Sequence, residues 1–132
     1  TRSSLPFFMK GRQMFEAQYL MTKNNTTGIV VFSPWFPRKG DNIQYAIDLI
    51  EAVGAKISVT LFTKNTEDPG DGTTTGSAIS LTNTVGVTSE VLKQGVVELV
   101  RYQFNVVADA SNTLGWVLFR MLSPVWFDSV KA

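Results

Sequence analysis

The sequence contains no cysteine and no histidine among its 132 residues. Without cysteine the chain can form no disulfide, no thiolate metal site and no cysteine nucleophile. Without histidine it lacks the Ser-His-Asp triad, histidine-bound zinc or iron, and imidazole acid–base catalysis. Carboxylates and lysines remain as catalytic groups, but no pattern of them points to a substrate. The sequence therefore predicts a protein that is not an enzyme.

Charged residues are also scarce, at 17% of the chain against 44% hydrophobic residues. Average proteins are about one quarter charged, so an apolar composition of this kind predicts a folded core rather than disorder. No linker or composition break divides the chain, and we expect one domain over residues 1–132, in which residues 1–11 could form an extended arm. No apolar run reaches about 18 residues, so no membrane span is expected.

Alternation of apolar and polar residues with a period of two is the dominant pattern. Phe15, Ala17, Tyr19 and Met21 share one face of their segment, and residues 55–65 and 97–107 alternate in the same way. Half-buried antiparallel strands have such alternation. The denser runs "TGIVVFS" and "GWVLFRML" predict strands that are covered on both faces.

Residues 41–53 decide between two fold classes. As a helix, the segment would have Asp41 as its N-cap, Gln44 in a capping box and Gly54 at its C-terminus. As a strand, it alternates like its neighbours and would continue into residues 55–65 through a hairpin turn at "AVGAK". Because no other segment has a helical period, we favour the strand, and the helix would make the fold α+β.

Turn-forming segments separate the predicted strands at regular intervals, as in "KNNTTG", "NTEDPGDGTTTG" and "ADASNTLG". Short strands separated by turns at such regular intervals are typical of antiparallel β-sandwiches. The predicted fold is therefore an all-β sandwich of about seven to nine strands, with a jelly roll as one arrangement of them.

Two segments combine proline with neighbouring aromatic residues, namely "SPWFPRKGD" at 33–41 and "SPVWF" at 123–127. Proline donates no backbone hydrogen bond, so neither segment suits the middle of a sheet. Because adjacent residues of an extended chain point in opposite directions, one of Trp35 and Phe36 can cap the core while the other cannot easily reach it. Trp35, Phe36, Trp126 and Phe127 could still all plug the ends of one core, and the alternative is an interface. Rigid aromatic anchors are typical of interfaces. The predicted interface residues are Phe7, Phe8, Trp35, Phe36, Arg38, Lys39, Trp126, Phe127 and Asp128.

One loop is rich in oxygen ligands: Asn65, Glu67, Asp68 and Asp71 lie within seven positions. Calcium takes six to eight oxygens, so these residues form a candidate calcium site. The loop lacks Asp-x-Asp-x-Asp spacing, and its Pro-Gly pair forms a turn without any metal. A solvated loop is therefore the stronger interpretation, and no other cofactor is predicted.

The charge is unevenly distributed along the chain. Residues 1–39 carry six basic residues and one acidic residue, whereas residues 40–132 carry six basic and ten acidic. With the aromatic segments, this asymmetry predicts a structural protein that self-assembles with copies of itself into a coat, capsid-like shell, particle or filament. The alternative is a sandwich that binds carbohydrate or another ligand, with calcium as an aid. Nucleic acid is a weaker candidate partner for the basic N-terminal third.

Overall fold

The computed structural model describes residues 13–82 and 84–128. All regular structure in these two ranges is β-strand, and no helix with the length and hydropathy of a membrane span occurs there. The strands are β1 Gln13–Thr22, β2 Ile29–Phe32, β3 Phe36–Pro37, β4 Asn42–Val53, β5 Ala55–Lys64, β6 Thr73–Leu81, β7 Gly86–Lys93, β8 Leu99–Ala108, β9 Gly115–Leu122 and β10 Val125–Phe127. The predicted arm, residues 1–11, lies outside the described residues.

The strands form two antiparallel sheets that pack face to face, which confirms the predicted all-β sandwich. The strand order in sheet A is β1-β9-β4-β7. Strand β10 pairs with the same edge of β4 as β9 does, just beyond the end of β9. Sheet B has the order β2-β8-β5-β6, and β3 continues the line of β2 along β8. The pairs are nested, because β1 pairs with β9, β2 with β8, β4 with β7 and β5 with β6. This nesting of eight long strands is the jelly-roll arrangement.

Residues 42–53 form strand β4, so the strand prediction is confirmed and the helix alternative is wrong. The predicted hairpin at "AVGAK" is also wrong, because β4 belongs to sheet A and β5 to sheet B. Gly54 alone connects them, with a φ of 63° that favours glycine. The period-two pattern continues through Gly54 and therefore gives no sign that the chain changes sheets.

The core lies between the sheets and contains the inward residues of every long strand from β4 to β9, apart from β7. Its largest fully buried side chains are Tyr45, Tyr102, Phe104 and Phe119. Burial, followed by the nearby Tyr45 phenol, raises the pKa of Tyr102, and burial followed by Glu90 raises the pKa of Tyr45. Both phenols are therefore neutral in the folded protein at ordinary pH.

A serine–proline pair interrupts one strand line in each sheet. In sheet B the break falls between β2 and β3, where Ser33 N donates to Tyr102 O at 2.9 Å. The Ser33 hydroxyl in turn accepts a hydrogen bond from Tyr102 N at 2.9 Å, in the position a strand carbonyl would occupy. In sheet A, Ser123 and Pro124 separate β9 from β10. Each break lets the chain change direction next to an aromatic pair.

Candidate interaction surfaces

Most of the residues predicted as interface or calcium ligands lie together at one end of the sandwich. We call it the proline end, formed by residues 33–41, 65–72, 94–98 and 123–128. Arg38 N donates to Glu98 O at 2.9 Å, and Asp41 N donates to the Asp128 carboxylate at 3.3 Å. The two aromatic–proline segments, far apart in sequence, are therefore neighbours in the fold. Phe7 and Phe8 lie outside the described residues.

Trp35 and Phe36 point to opposite sides of sheet B, as neighbouring residues of an extended chain must. The Phe36 ring packs against the core, with its centroid 5.5 Å from that of Tyr102. Trp35 lies on the outer face, where Lys64 Nζ is 4.9 Å from the ring centroid. Phe36 therefore closes the core of its own molecule, and Trp35 is half-buried under charged side chains.

The cation nearest Trp35 is Arg101, which lies in an aromatic cluster on the outer face of sheet B. Its guanidinium carbon is 4.0 Å from the centroid of Phe32, 4.6 Å from that of Trp35 and 6.0 Å from that of Phe62. The side chain is only 12% exposed, and Arg101 Nη2 lies 3.1 Å from Asp71 Oδ1. Such cation–π contacts strengthen as the cation loses water. The cluster therefore ties Trp35 and the 65–72 loop to the same molecule.

The oxygen-rich loop uses its acidic side chains to stabilise its own turn. Asp68 Oδ2 accepts a hydrogen bond from Asn65 N at 3.1 Å, and Asp71 is paired with Arg101. Glu67 is exposed. Across residues 13–82 and 84–128, no three acidic side chains converge to hold a metal ion. The geometry thus gives no support to calcium at Asn65, Glu67, Asp68 and Asp71.

The second aromatic–proline segment also divides its side chains between the core and the surface. Trp126 pairs with Ile43 across β10 and β4 and packs against the core. Phe127 is 40% exposed and Val125 is 56% exposed on the outer side of sheet A. Of the four predicted aromatic anchors, Phe36 and Trp126 therefore close the core, whereas Trp35 and Phe127 lie on the outside.

The charged residues of these segments lie at one end of the molecule rather than at opposite ends. Arg38 Nη1 donates to Val96 O at 3.0 Å, and Arg38 Nη2 lies 3.9 Å from Asp41 Oδ1. Lys39 is exposed at the same end. Because Asp128 is bound to Asp41 N, the basic pair and this acid do not form two separated complementary ends. A head-to-tail contact through them is not what this geometry favours.

The outer face of sheet A also presents apolar side chains to the outside, and the sequence did not single it out. Its apolar side chains are Tyr19, Met21, Val53, Val87, Val91, Trp116, Leu118 and Val125. Val87 is 61% exposed, Tyr19 51% and Met21 49%. The Trp116 and Tyr19 rings are stacked with centroids 4.9 Å apart. None of the described strands packs over this face, so the described part of the chain covers "GWVLFRML" on one side only.

The orientation of β1 explains why this face was missed. Alternation groups Ala17, Tyr19 and Met21 on one side of β1, but it does not say which side meets the core. In the fold Leu20 packs against the core, and Tyr19 and Met21 face outward. Two signals could have found the face: the dense apolar run of β9 and the valines at alternate positions 85, 87 and 91 around β7.

Comparison of the chain with protein-family models, curated proteins and solved structures finds no match. The candidate surfaces therefore depend on the geometry of this molecule alone.

Proposed function

We propose that this chain is a non-enzymatic structural protein that assembles with copies of itself into a multi-subunit particle, coat, shell or filament. The observation that carries the proposal is the outer face of sheet A, where each of four adjacent strands has outward apolar side chains among polar ones such as Gln44, Asp48 and Ser89. Water contact with such a face is unfavourable, and association removes it. Exposed apolar patches of this kind mark interaction sites in soluble proteins.

The size of the face supports a protein partner rather than a small ligand. Four strands about 4.8 Å apart and about seven residues long, at about 3.3 Å each, project to about 440 Å². A stable interface buries about 800 Å² on each partner, so this face would supply about half of one. Residues at the margins of the face would supply the remaining buried area. Phe127, at the margin beside Val125, extends the apolar surface toward the proline end.

A second copy is the occupant that the charges of this face favour. Arg120 Nε donates to Asp48 Oδ2 at 2.9 Å in the middle of the face. Arg120 is 45% exposed and Asp48 is 18% exposed, so the pair is accessible from outside. A copy related by a two-fold axis would present the same two charges in reverse order. Glu51 and Lys93 are also exposed on this side, so the described charges of the face balance one another, and a two-fold contact between copies would start the assembly.

The fold agrees with this proposal without deciding it. Jelly rolls build shells in some proteins and bind ligands in others, so topology does not select a function. The carbohydrate alternative required exposed tryptophans in one row. Trp35 lies on sheet B, Trp116 on sheet A, and Trp126 packs against the core. Three tryptophans on three different surfaces offer no common platform for a sugar chain.

Light scattering of the purified chain tests the proposal, with mass far above 14.6 kDa as the expected result. Val91→Lys should reduce the particle to its smallest unit, because it places a charge in the apolar contact. Val30→Lys is the matched control, since Val30 on β2 of sheet B and Val91 are both 47% exposed. A monomer at high concentration would contradict self-assembly. Equal loss of mass in both variants would contradict the choice of face.

A further inference from the structure

A pocket on the outer face of sheet B has no role in the proposed assembly. Its volume is about 280 Å³, and it lies where β8, β5 and β6 run side by side, near the end opposite the proline end. The side chains of Lys56, Ser58, Ser80, Thr82, Asn105 and Val107 line it. This volume is at the lower end of the range for small-ligand pockets. The pocket also lies on the sheet that the apolar contact leaves exposed.

The polar groups of the pocket converge because of strand register. Ser58 on β5 pairs with Asn105 on β8 and with Ser80 on β6, so these three outward side chains form one row. Lys56 and Val107 form the next row toward the end of the sheet. Residues in register across a sheet lie about 5 Å apart. The alternation of both strands thus places one amide, two hydroxyls and one ammonium around a single depression.

One atom of the pocket lacks the partner that a buried polar atom normally has. Asn105 Oδ1 is buried and receives no hydrogen bond from any residue of 13–82 and 84–128. More than nine in ten buried polar groups of folded proteins are hydrogen-bonded, so an exception calls for an external donor. The lining hydroxyls of Ser58, Ser80 and Thr82 can each donate and accept. A ligand with several hydroxyl groups would satisfy them and the amide together.

The charge of the lining residues indicates the charge of the ligand. Among the described residues that line the pocket, Lys56 alone is charged and none is acidic. An ammonium beside neutral donors and acceptors favours an anion over a cation. From these observations we infer that the pocket binds an acidic saccharide, with its ring hydroxyls on Asn105 and the serines and its carboxylate near Lys56. The inference is independent of the proposed assembly, because it uses the other sheet.

Saturation-transfer NMR with glucuronate, glucose and sulfate tests this inference, and it works on large particles as well as on monomers. We expect transfer to glucuronate with a dissociation constant of about 1 mM, and weaker transfer to glucose. Lys56→Gln should weaken glucuronate binding by about tenfold and leave glucose unchanged. Lys39→Gln is the control, because that exposed lysine lies at the proline end.

Asn105→Leu supplies a second variant, since it removes the unpaired acceptor and should abolish transfer to both sugars. Thermal unfolding of each variant separates lost binding from lost folding. No transfer to either sugar would overturn the inference. Competition by sulfate as strong as that by glucuronate would also overturn it, because the pocket would then bind anions without recognising a saccharide.

Discussion

The two outer faces of this sandwich differ more than its two inner faces do. Inside, both sheets present large apolar side chains to one core. Outside, sheet B presents Ser58, Gln103 and Asn105, and its aromatic residues lie under Arg101. Sheet A presents Tyr19 stacked on Trp116, with no cation of the described residues above them. Since inward residues must be apolar in any sandwich, the outward residues carry the information about partners.

The two outer faces show two environments for aromatic residues that lie outside the core. On sheet B one guanidinium, 12% exposed, covers two rings at 4.0 Å and 4.6 Å. Trp35 is half-buried there, although Phe32 keeps 40% of its surface exposed. On the outer face of sheet A the one ion pair among the described residues, Arg120 with Asp48, lies beside the apolar residues and does not cover them. We therefore propose that sheet A self-associates, whereas Arg101 ties the aromatic residues of sheet B to their own molecule.

The strongest test of this comparison exchanges one tryptophan on each face for serine. Trp116→Ser should weaken association by about 2 kcal/mol or more, about thirtyfold, because buried aromatics dominate interface energies. Trp35→Ser should leave association unchanged and lower the free energy of unfolding by about 1–2 kcal/mol, through lost cation–π contacts. Sedimentation measures the first effect and urea denaturation the second. If Trp35→Ser weakened association and Trp116→Ser did not, sheet B rather than sheet A would be the face of self-association.

A smaller effect is expected when the arginine on each face becomes glutamine. Arg101→Gln should lower the free energy of unfolding by about 1 kcal/mol, because its guanidinium contacts aromatic rings and is shielded from water. Arg120→Gln should change it by less than about 0.5 kcal/mol, because exposed ion pairs contribute little. Denaturant titration of monomeric protein, on the Val91→Lys background, measures both. Equal losses would show that Arg101 does not hold its cluster.

The smallest expected effect comes from salt. Sodium sulfate should strengthen association by a few-fold, because excluded salts favour burial of apolar surface. An assembly held by charged ends would instead weaken as ionic strength rises. Light scattering across a sulfate series distinguishes the two, with Val91→Lys as the control that should respond little. Dissociation by sodium sulfate would instead indicate an assembly held by charges, with Arg38, Lys39 and Asp128 as the candidate residues.

Much of the fold was predictable, because a period of two is a local property of the chain. Strands β5 and β8 and the strand state of residues 42–53 were all indicated by alternation. The calcium ligands and the head-to-tail charges stay predictions. A loop sequence gives the number of carboxylates but not their directions, and here Asp68 and Asp71 turn toward partners in the same chain.

The candidate surfaces were predictable only in part. The separation of Trp35 from Phe36 followed from extended geometry, and the contrast between Trp126 and Phe127 followed from the same rule. The outward orientation of Tyr19 and Met21 was not predictable, because alternation groups the residues of one strand face without saying which face meets the core. The connection at Gly54 was not predictable either, because the segment "AVGAK" allows both a hairpin within one sheet and a change of sheet.

The amino-acid sequence by itself determined that this chain folds into antiparallel strands without cysteine or histidine chemistry. Local alternation, turn residues and composition are sufficient for that, because each acts over a few neighbouring residues. Only the tertiary structure decided that the pairs are nested and that both aromatic–proline segments meet at one end. It also decided that Tyr19 and Met21 of β1 face outward, beside Trp116 of β9. These features depend on pairing between distant strands, and the register of such pairs is chosen by the packing of the whole core.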